Sequence, residues 1–228
     1  MLRVSVIIPC YNEKTTIEEI VHQVQATGRA HEIIIVDDGS TDGTREILAR
    51  LDGRDGVQVL FHERNQGKGA AVRSALEAAT GDVMLIQDAD LEYDPRDYPA
   101  LLRPIEEGKA EAVYGSRFLG GPRRTMFFWH MVGNRFLTLV TNILFDTILS
   151  DVETCYKVFT SRVAAQLDLK SSGWGFDPEI TAKILRQGVR IYEVPISYAG
   201  REFDEGKKIS WQDGLTVFWT LLKYRFTK

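Results

Sequence analysis

Short apolar runs, rich in β-branched residues, punctuate the first ninety positions. They are Arg3 to Ile8, ended by Pro9; Glu32 to Asp37; Val57 to Phe61; and Val83 to Ile86. The second and fourth are unbroken, as in strands buried on both faces. Helical stretches fall between them. Thr15-Thr-Ile-Glu18 reads as a capping box for a helix to about Thr27, a second helix spans Thr44 to Leu51, and a third carries Ala70, Ala71, Leu76 and Ala78. Strand and helix in alternation, joined by right-handed crossovers, predict a mostly parallel sheet with helices on both faces.

After position 95 the pattern loosens. Asp97 to Glu107 reads as helix, Ala112 to Tyr114 as strand, Arg117 to Arg124 as a Gly-rich basic loop, and Val189 to Val194 as a last strand. From Thr125 to Leu149 the chain is strongly apolar, with Phe136, Leu139, Val140, Ile143 and Leu144 on one helical stripe. Arg201 to Lys208 is a charged loop. From Ser210 a C-terminal helix places Trp211, Leu215, Phe218 and Leu222 on one stripe and gathers Lys223, Arg225 and Lys228 at its end. Both segments read either as core-packing helices or as apolar interfacial helices on a membrane surface.

The chain has 228 residues, 44% of them hydrophobic, enough to bury the core of one α/β domain over 1–228. A net charge of −4 argues against a general nucleic-acid binder. Cys10 and Cys155 cannot build a disulfide framework, and the first residues lead into a strand rather than a secretory leader. A cytoplasmic setting is expected. A spanning helix needs about 20 apolar residues, and Gly133-Asn-Arg135 and Asp146 interrupt the best candidate.

The chemistry concentrates where strands end. Asp88 and Asp90 follow the fourth strand, at the edge where open α/β sheets keep their ligands. Two carboxylates in one turn repel and call for a hard cation, Mg²⁺ or Mn²⁺, shared with a diphosphate; a bare Asp-x-Asp is equally a solvated strand end. The loops after the first two strands carry Pro9-Cys-Tyr-Asn-Glu13 and Asp37-Asp-Gly-Ser40. A Tyr ring can lie on a base and a carboxylate can accept from base or ribose, although Asn12 and Glu13 also suit a helix start and Asp38-Gly39 a plain turn. Gly67-Lys-Gly69 lacks the spacing of a phosphate-binding Walker loop, and no Gly-x-Gly-x-x-Gly follows the first strand. The histidines show no metal-ligand spacing, and nothing near Cys155 activates a thiol.

Val6-Ile-Ile-Pro-Cys-Tyr-Asn-Glu13, Ile35-Val-Asp-Asp-Gly-Ser-Thr-Asp42, Asn65-Gln-Gly-Lys-Gly69 and Asp88-Ala-Asp90, in this order and spacing, resemble the inverting family-2 glycosyltransferases of the GT-A, Rossmann-like fold. Gly115-Ser-Arg117, Asp151 to Phe159, and Arg201 with Gly206-Lys-Lys208 extend the resemblance to the polyprenyl-phosphate sugar synthases, such as dolichyl-phosphate mannose and glucose synthases. The resemblance implies a nucleotide-sugar half over 1–118 and an acceptor and membrane-facing half over 119–228. It implies that Pro9, Tyr11, Glu13, Val36 and Asp38 hold the nucleoside, and that Lys68, Asp88 and Ala89 lie along the nucleotide sugar. Asp90 would ligate the metal with Asp88, while Arg117, Arg201 and Lys207 would meet phosphates. Glu92 stands where the mannose synthases commonly have Gln, as a third metal ligand or the mark of a different donor. Cys155 replaces a glycine usual on the acceptor side.

The expected reaction moves a hexose, from GDP-mannose by preference or UDP-glucose, to a polyprenyl or dolichyl phosphate at the cytoplasmic face of a membrane. The metal and the cationic loop Arg201 to Lys208 would offset charge on the departing diphosphate. A phosphate monoester is mostly dianionic at neutral pH and needs no base; Arg117, with Arg123 or Arg124, would orient it. A saccharide or lipid hydroxyl would need a base, for which Asp177 and Glu179 are candidates, although Asp177 before Pro178 also reads as a helix N-cap. A nucleotide-sugar-binding subunit of a membrane complex, without catalysis, is the remaining alternative, and an integral-membrane partner could cover the apolar segments.

Overall fold

A computed structural model of the chain describes residues 2–173, 175–201 and 211–227. The expected alternation is present: β1 Val4–Cys10, α1 Ile17–Ala26, β2 Glu32–Asp37, α2 Thr44–Leu51, β3 Val57–Phe61, α3 Lys68–Ala78 and β4 Val83–Ile86. A 3₁₀ turn, Pro95–Asp97, leads into α4 Tyr98–Glu106 and β5 Ala112–Ser116. Then follow α5 Phe128–Phe145, β6 Lys157–Thr160, α6 Ser161–Ala164, α7 Phe176–Arg186, β7 Ile191–Pro195 and α8 Trp211–Phe226.

One seven-stranded sheet has the order β3-β2-β1-β4-β6-β5-β7. Its first four positions are parallel, and the unbroken runs of β1, β2 and β4 are buried on both faces as their composition requires. β6 runs antiparallel between β4 and β5, and β7 pairs parallel with β5. The sheet therefore draws strands from both halves of the chain. The core lies on the sheet faces, under α1, α3, α4 and α7.

Three local expectations are corrected. The Thr15-Thr-Ile-Glu18 capping box does not form: Thr16 makes no side-chain cap, and its hydroxyl donates back to the Glu13 carboxylate at 3.0 Å. Asp177 is not a cap either, because α7 begins at Phe176 behind Gly175. The stripe of α5 is split. Phe136, Leu139 and Ile143 point outward, 54–72% exposed, while Val140 and Leu144 pack against the Leu137 cluster and Leu137, Thr138 and Thr141 face inward. Leu137 packs with Val217 and Leu221 of α8. Thr141 satisfies itself on the Leu137 carbonyl, and Thr138 accepts from the N–H of Val152. In α8 the inward positions are Val217, Leu221 and Tyr224, beside the expected Phe218; the side chains of Trp211 and Leu215 lie outside the described residues. Among the described residues no helix is long and apolar enough to cross a membrane.

Candidate active site

At the C-terminal ends of β1 and β2 the two loops are laced together. Asn12, in a left-handed conformation (φ 54°), donates its N–H to Ser40 Oγ at 2.9 Å and accepts from the N–H of Thr41 at 2.8 Å. The Glu13 N–H reaches Thr44 Oγ1 at 3.1 Å. Gly39 has φ 76°, and a Cβ there would stand 2.6 Å from the backbone of Arg64 and Asn65, so only glycine admits this close approach. Asp38, expected to face a nucleoside, is almost fully buried. Its carboxylate accepts from the N–H groups of Gln66 (2.9 Å) and Gly67 (2.7 Å) and meets His62 Nδ1 at 2.7 Å; His62 Nε2 in turn meets Ser74 Oγ at 2.9 Å. Asp38 thus ties down the loop before α3. Val36 is also buried, Pro9 is half-buried, and Tyr11 presents an exposed ring.

The segment after β4 turns at once, and Leu91 takes φ 63°. Gln87 anchors that turn from below: its amide donates to the Asp88 carbonyl, and its oxygen accepts from the hydroxyls of Tyr98 and Tyr156 at 2.9 and 2.8 Å. Asp88 pairs with Lys68 at 2.7 Å; Ala89 is buried beside it. Asp90 lies 3.0 Å from Arg201 Nη2 and accepts from the N–H of Glu92. The Arg201 guanidinium reaches Glu13 at 3.1 and 3.2 Å, and its backbone N–H donates to Glu92 at 2.9 Å. The Tyr198 hydroxyl holds the other Glu92 oxygen at 2.7 Å. One guanidinium therefore sits among three carboxylates, its buried Nε 3.6 Å from Glu92 in an ion-pair contact without a hydrogen bond.

Burial, followed by the nearby charges of Asp88 and Glu92, pushes the Asp90 carboxyl up to about 7. The expected trio of ligands is not gathered into one shell: Asp88 is drawn to Lys68, and Glu92 to Tyr198 and Arg201. Among the described residues no group of three His, Cys, Asp or Glu is so arranged. The donor chemistry nonetheless suits a hard cation. The groups are oxygen donors on one loop, and burial together with their surplus negative charge holds Asp90 protonated toward neutral pH.

The basic residues divide. Arg117, expected at a phosphate, is 7% exposed and grips Asp151 with Nε and Nη2, both at 2.7 Å, while its N–H donates to the same carboxylate. Its guanidinium lies over Tyr198 and Phe118. Around the Phe118 ring stand two more guanidiniums, Arg123 at 5.4 Å and Arg135 of α5 at 5.3 Å. Arg124 donates its N–H to the Tyr198 carbonyl. A cleft of about 1170 Å³ borders this corner, lined by Glu92, Tyr93, Arg123, Arg124 and Tyr198 and closed by His22 of α1. Lys207 and the rest of the loop 202–208 lie outside the described residues.

The two candidate bases are both committed. Lys157, wholly buried on β6, pairs with Asp177 at 2.6 Å and donates to the Thr154 carbonyl. Burial alone would raise the Asp177 carboxyl, but Lys157 and Lys68 outweigh it and hold it below its usual range. Glu179 accepts from the N–H groups of Lys170 and Ser171 and pairs with Lys183 at 2.6 Å. Cys155 is buried, its thiol pushed up by that burial, which makes it a poor nucleophile. The sequence pattern gives Asp151, Glu153 and Lys157 no individual places in this buried charge cluster. Lys157 inside the apolar run Cys-Tyr-Lys-Val-Phe is the signal that could have found them, since a charge in a buried strand requires a partner.

Three comparisons bear on this geometry. The profile of Glycosyl transferase family 2 matches residues 5–167. Glycosyltransferase AglJ of Haloferax volcanii is 30% identical over 199 residues, covering 87% of this chain and 63% of its own length. Dolichol-phosphate mannosyltransferase of Pyrococcus furiosus is 30% identical over 224 residues, covering 95% of this chain and 61% of its own. The chain thus spans a little over three-fifths of each of these relatives. Glucosyl-3-phosphoglycerate synthase of Mycobacterium tuberculosis, solved with Mn²⁺, UDP and glucosyl-3-phosphoglycerate, superposes with a TM-score of 0.76 at 21% identity, over 98% of this chain and 80% of that one. The same synthase has also been solved with Mg²⁺ and UDP, with a TM-score of 0.74 at 22% identity, over 98% of this chain and 79% of that one. The GT-A fold is shared.

Proposed function

The chain belongs to glycosyl transferase family 2, and we propose that it transfers a hexose, with inversion, from a nucleotide sugar to a polyprenyl phosphate at a membrane surface. The observation that carries this reading is the carboxylate cluster at the sheet edge, Asp88, Asp90, Glu92 and Glu13, closed by the Arg201 guanidinium. Asp88 and Asp90, with Glu92 beside them, would hold Mg²⁺ or Mn²⁺. That cation supplies charge neutralisation on the diphosphate when bound.

The chain's own residues do the rest. Tyr11 offers a ring for the base beside Pro9 and Val36, which pair across β1 and β2, while Asp38 and His62 keep the surrounding loops in place. Lys68 leans on Asp88 and lends positive charge to the sugar-phosphate end. Arg201, paired here with Glu13 and Asp90, would turn its guanidinium to the leaving diphosphate, together with Lys207, where those carboxylates hold Mg²⁺ or Mn²⁺.

On the acceptor side, Arg117 positions the loop through Asp151, and Arg123 and Arg135 offer guanidiniums beside Phe118. The outward row Phe136, Leu139 and Ile143, with Phe128 and Trp129 at the head of α5, suits a helix lying in a lipid interface. Likeness to the Pyrococcus furiosus dolichol-phosphate mannosyltransferase favours a GDP-mannose donor and a dolichol-type acceptor, whereas fold neighbours solved with UDP and UDP-glucose favour UDP-glucose. A hydroxyl acceptor is the second reading, and the commitment of Asp177 and Glu179 to lysines weighs against it. Labelled GDP- and UDP-sugars offered with polyprenyl phosphate and Mg²⁺ or Mn²⁺ test the proposal. Labelled sugar should move into the lipid phase, and transfer to a soluble saccharide alone would overturn it.

A further inference from the structure

Behind the donor and acceptor ends of the site runs a chain of ion pairs: the half-buried Lys68 with Asp88 (2.7 Å), and the buried Lys157 with Asp177 (2.6 Å) and Arg117 with Asp151 (2.7 Å). Each cation has one carboxylate partner. Glu153 lies near them, and its Oε1 is sealed from solvent without a hydrogen-bond partner among the described residues. An unpaired carboxylate in such a place costs several kcal/mol unless it takes up a proton or meets a ligand.

The position of Glu153 says which ligand. It follows Asp151, the partner of Arg117, by two residues, and Thr154 fastens the segment to the end of β5 through the Gly115 carbonyl. The charges that act on it are those of Asp177 of α7, Lys157 of β6, and Arg117 and Asp151. Asp177 also feels Lys68, which pairs with Asp88 at the donor end. Glu153 therefore stands between the donor carboxylates and the Arg117–Phe118 corner proposed for the acceptor, with part of the residue open to solvent. Burial, then the negative charge of Asp177, pushes its carboxyl up to about 7, in agreement with the missing partner.

We propose that Glu153 reads the charge of the acceptor: as a neutral acid it donates a hydrogen bond to an oxygen of a phosphate monoester, and as a carboxylate it repels that dianion. The inference rests on the phosphate-acceptor reading. A carboxyl kept neutral in a buried site is a good donor to an anion, and no proton leaves the reacting centre, because the phosphate oxygen attacks as an anion. Acceptor affinity should thus fall as pH rises through 7, and binding above pH 7 should draw a proton from solution.

The test compares wild type with Glu153→Gln, using a short prenyl phosphate as acceptor from pH 6.5 to 8.5. For wild type the acceptor KM should rise roughly 25-fold across this range, the ratio expected of one titrating group near 7. For Glu153→Gln, which always donates, the profile should be nearly flat. The ionisation of the phosphate, near 6, is common to both and cancels in the comparison. A second measurement needs no variant. Calorimetric titration of prenyl phosphate into wild type with nucleoside diphosphate present, at pH 8 in buffers of different ionisation enthalpy, should show uptake of close to one proton. Superimposable pH profiles, or no proton uptake, overturn the inference alone. A collapse of kcat in the Gln variant at every pH, with acceptor KM unchanged, makes Glu153 a base and also overturns it. If wild type glycosylates no prenyl phosphate at all, the acceptor reading fails and the inference falls with it.

Discussion

Replacing Asp90 with Asn should stabilise the metal-free protein at alkaline pH while disabling its site. Asp in an unfolded chain titrates near 4, whereas burial and its acidic neighbours bring folded Asp90 to about 7. Between those values the folded state holds a proton that the unfolded state lacks. The contribution of Asp90 to stability is therefore fully present below about pH 4 and is lost as pH rises through 7. At 1.36 kcal/mol per pH unit the whole loss is about 4 kcal/mol as a ceiling. Asp90 shares its titration with Asp88, Glu92 and Arg201, so about 2 kcal/mol is a better expectation for one residue. The substituted amide cannot ionise, keeps an oxygen for the Glu92 N–H, and leaves Arg201 with Glu13 and Glu92. In EDTA at pH 8 the variant should melt above wild type by roughly 4–8 °C, taking 2–4 °C per kcal/mol for a chain of this size. At pH 5 the two should melt within about 2 °C of each other on the same scale. A variant less stable than wild type at pH 8, or an equal difference at both pH values, would refute the reasoning.

Three further expectations follow from particular contacts. His62→Ala removes the bridge between Asp38 and Ser74; nucleotide affinity should fall about tenfold, the value of roughly one buried hydrogen bond, and unchanged affinity by titration calorimetry would contradict this. Asp177→Asn strands Lys157 in the core and should cost about 3–5 kcal/mol in urea unfolding, with much of it recovered by adding Lys157→Met; a loss under about 1 kcal/mol would show that the pair is not structural. Phe136→Ser with Ile143→Ser should weaken flotation on anionic liposomes severalfold and leave nucleotide binding intact, whereas wild type that does not float at low salt would remove α5 as a membrane-contacting surface.

Most of the sheet was legible because its strands are runs bounded by turn chemistry: Glu32–Asp37, Val57–Phe61 and Val83–Ile86 lie where the apolar pattern puts them. β6 was not. It is four residues long, carries a buried lysine, and its antiparallel insertion between β4 and β5 is a non-local pairing that no local pattern encodes. The stripe of α5 misled because amphipathicity identifies an apolar face without saying what covers it; here the threonines bond inward and the large side chains remain outside. In the site, the loops that meet were readable from their order, but the partners were not. Arg117 looked like a phosphate ligand until Asp151, 34 residues away, was seen to hold it. Arg201 lies 111 residues from Asp90, and the folded sheet alone brings the two together.

On the proposed reading, Asp88, Asp90 and Glu92 would form a cation-dependent seat for the diphosphate of a nucleotide sugar. Calorimetric titration of UDP and GDP into wild type and Asp90→Asn, each with Mn²⁺ and with EDTA, tests it directly. At least one nucleotide should bind wild type more than tenfold tighter with Mn²⁺ than with EDTA, a difference of about 1.4 kcal/mol or more, and Asp90→Asn should lose that gain while binding weakly in both. Equal affinity for wild type with and without the metal, or an Asn variant that keeps the full gain, would contradict the claim.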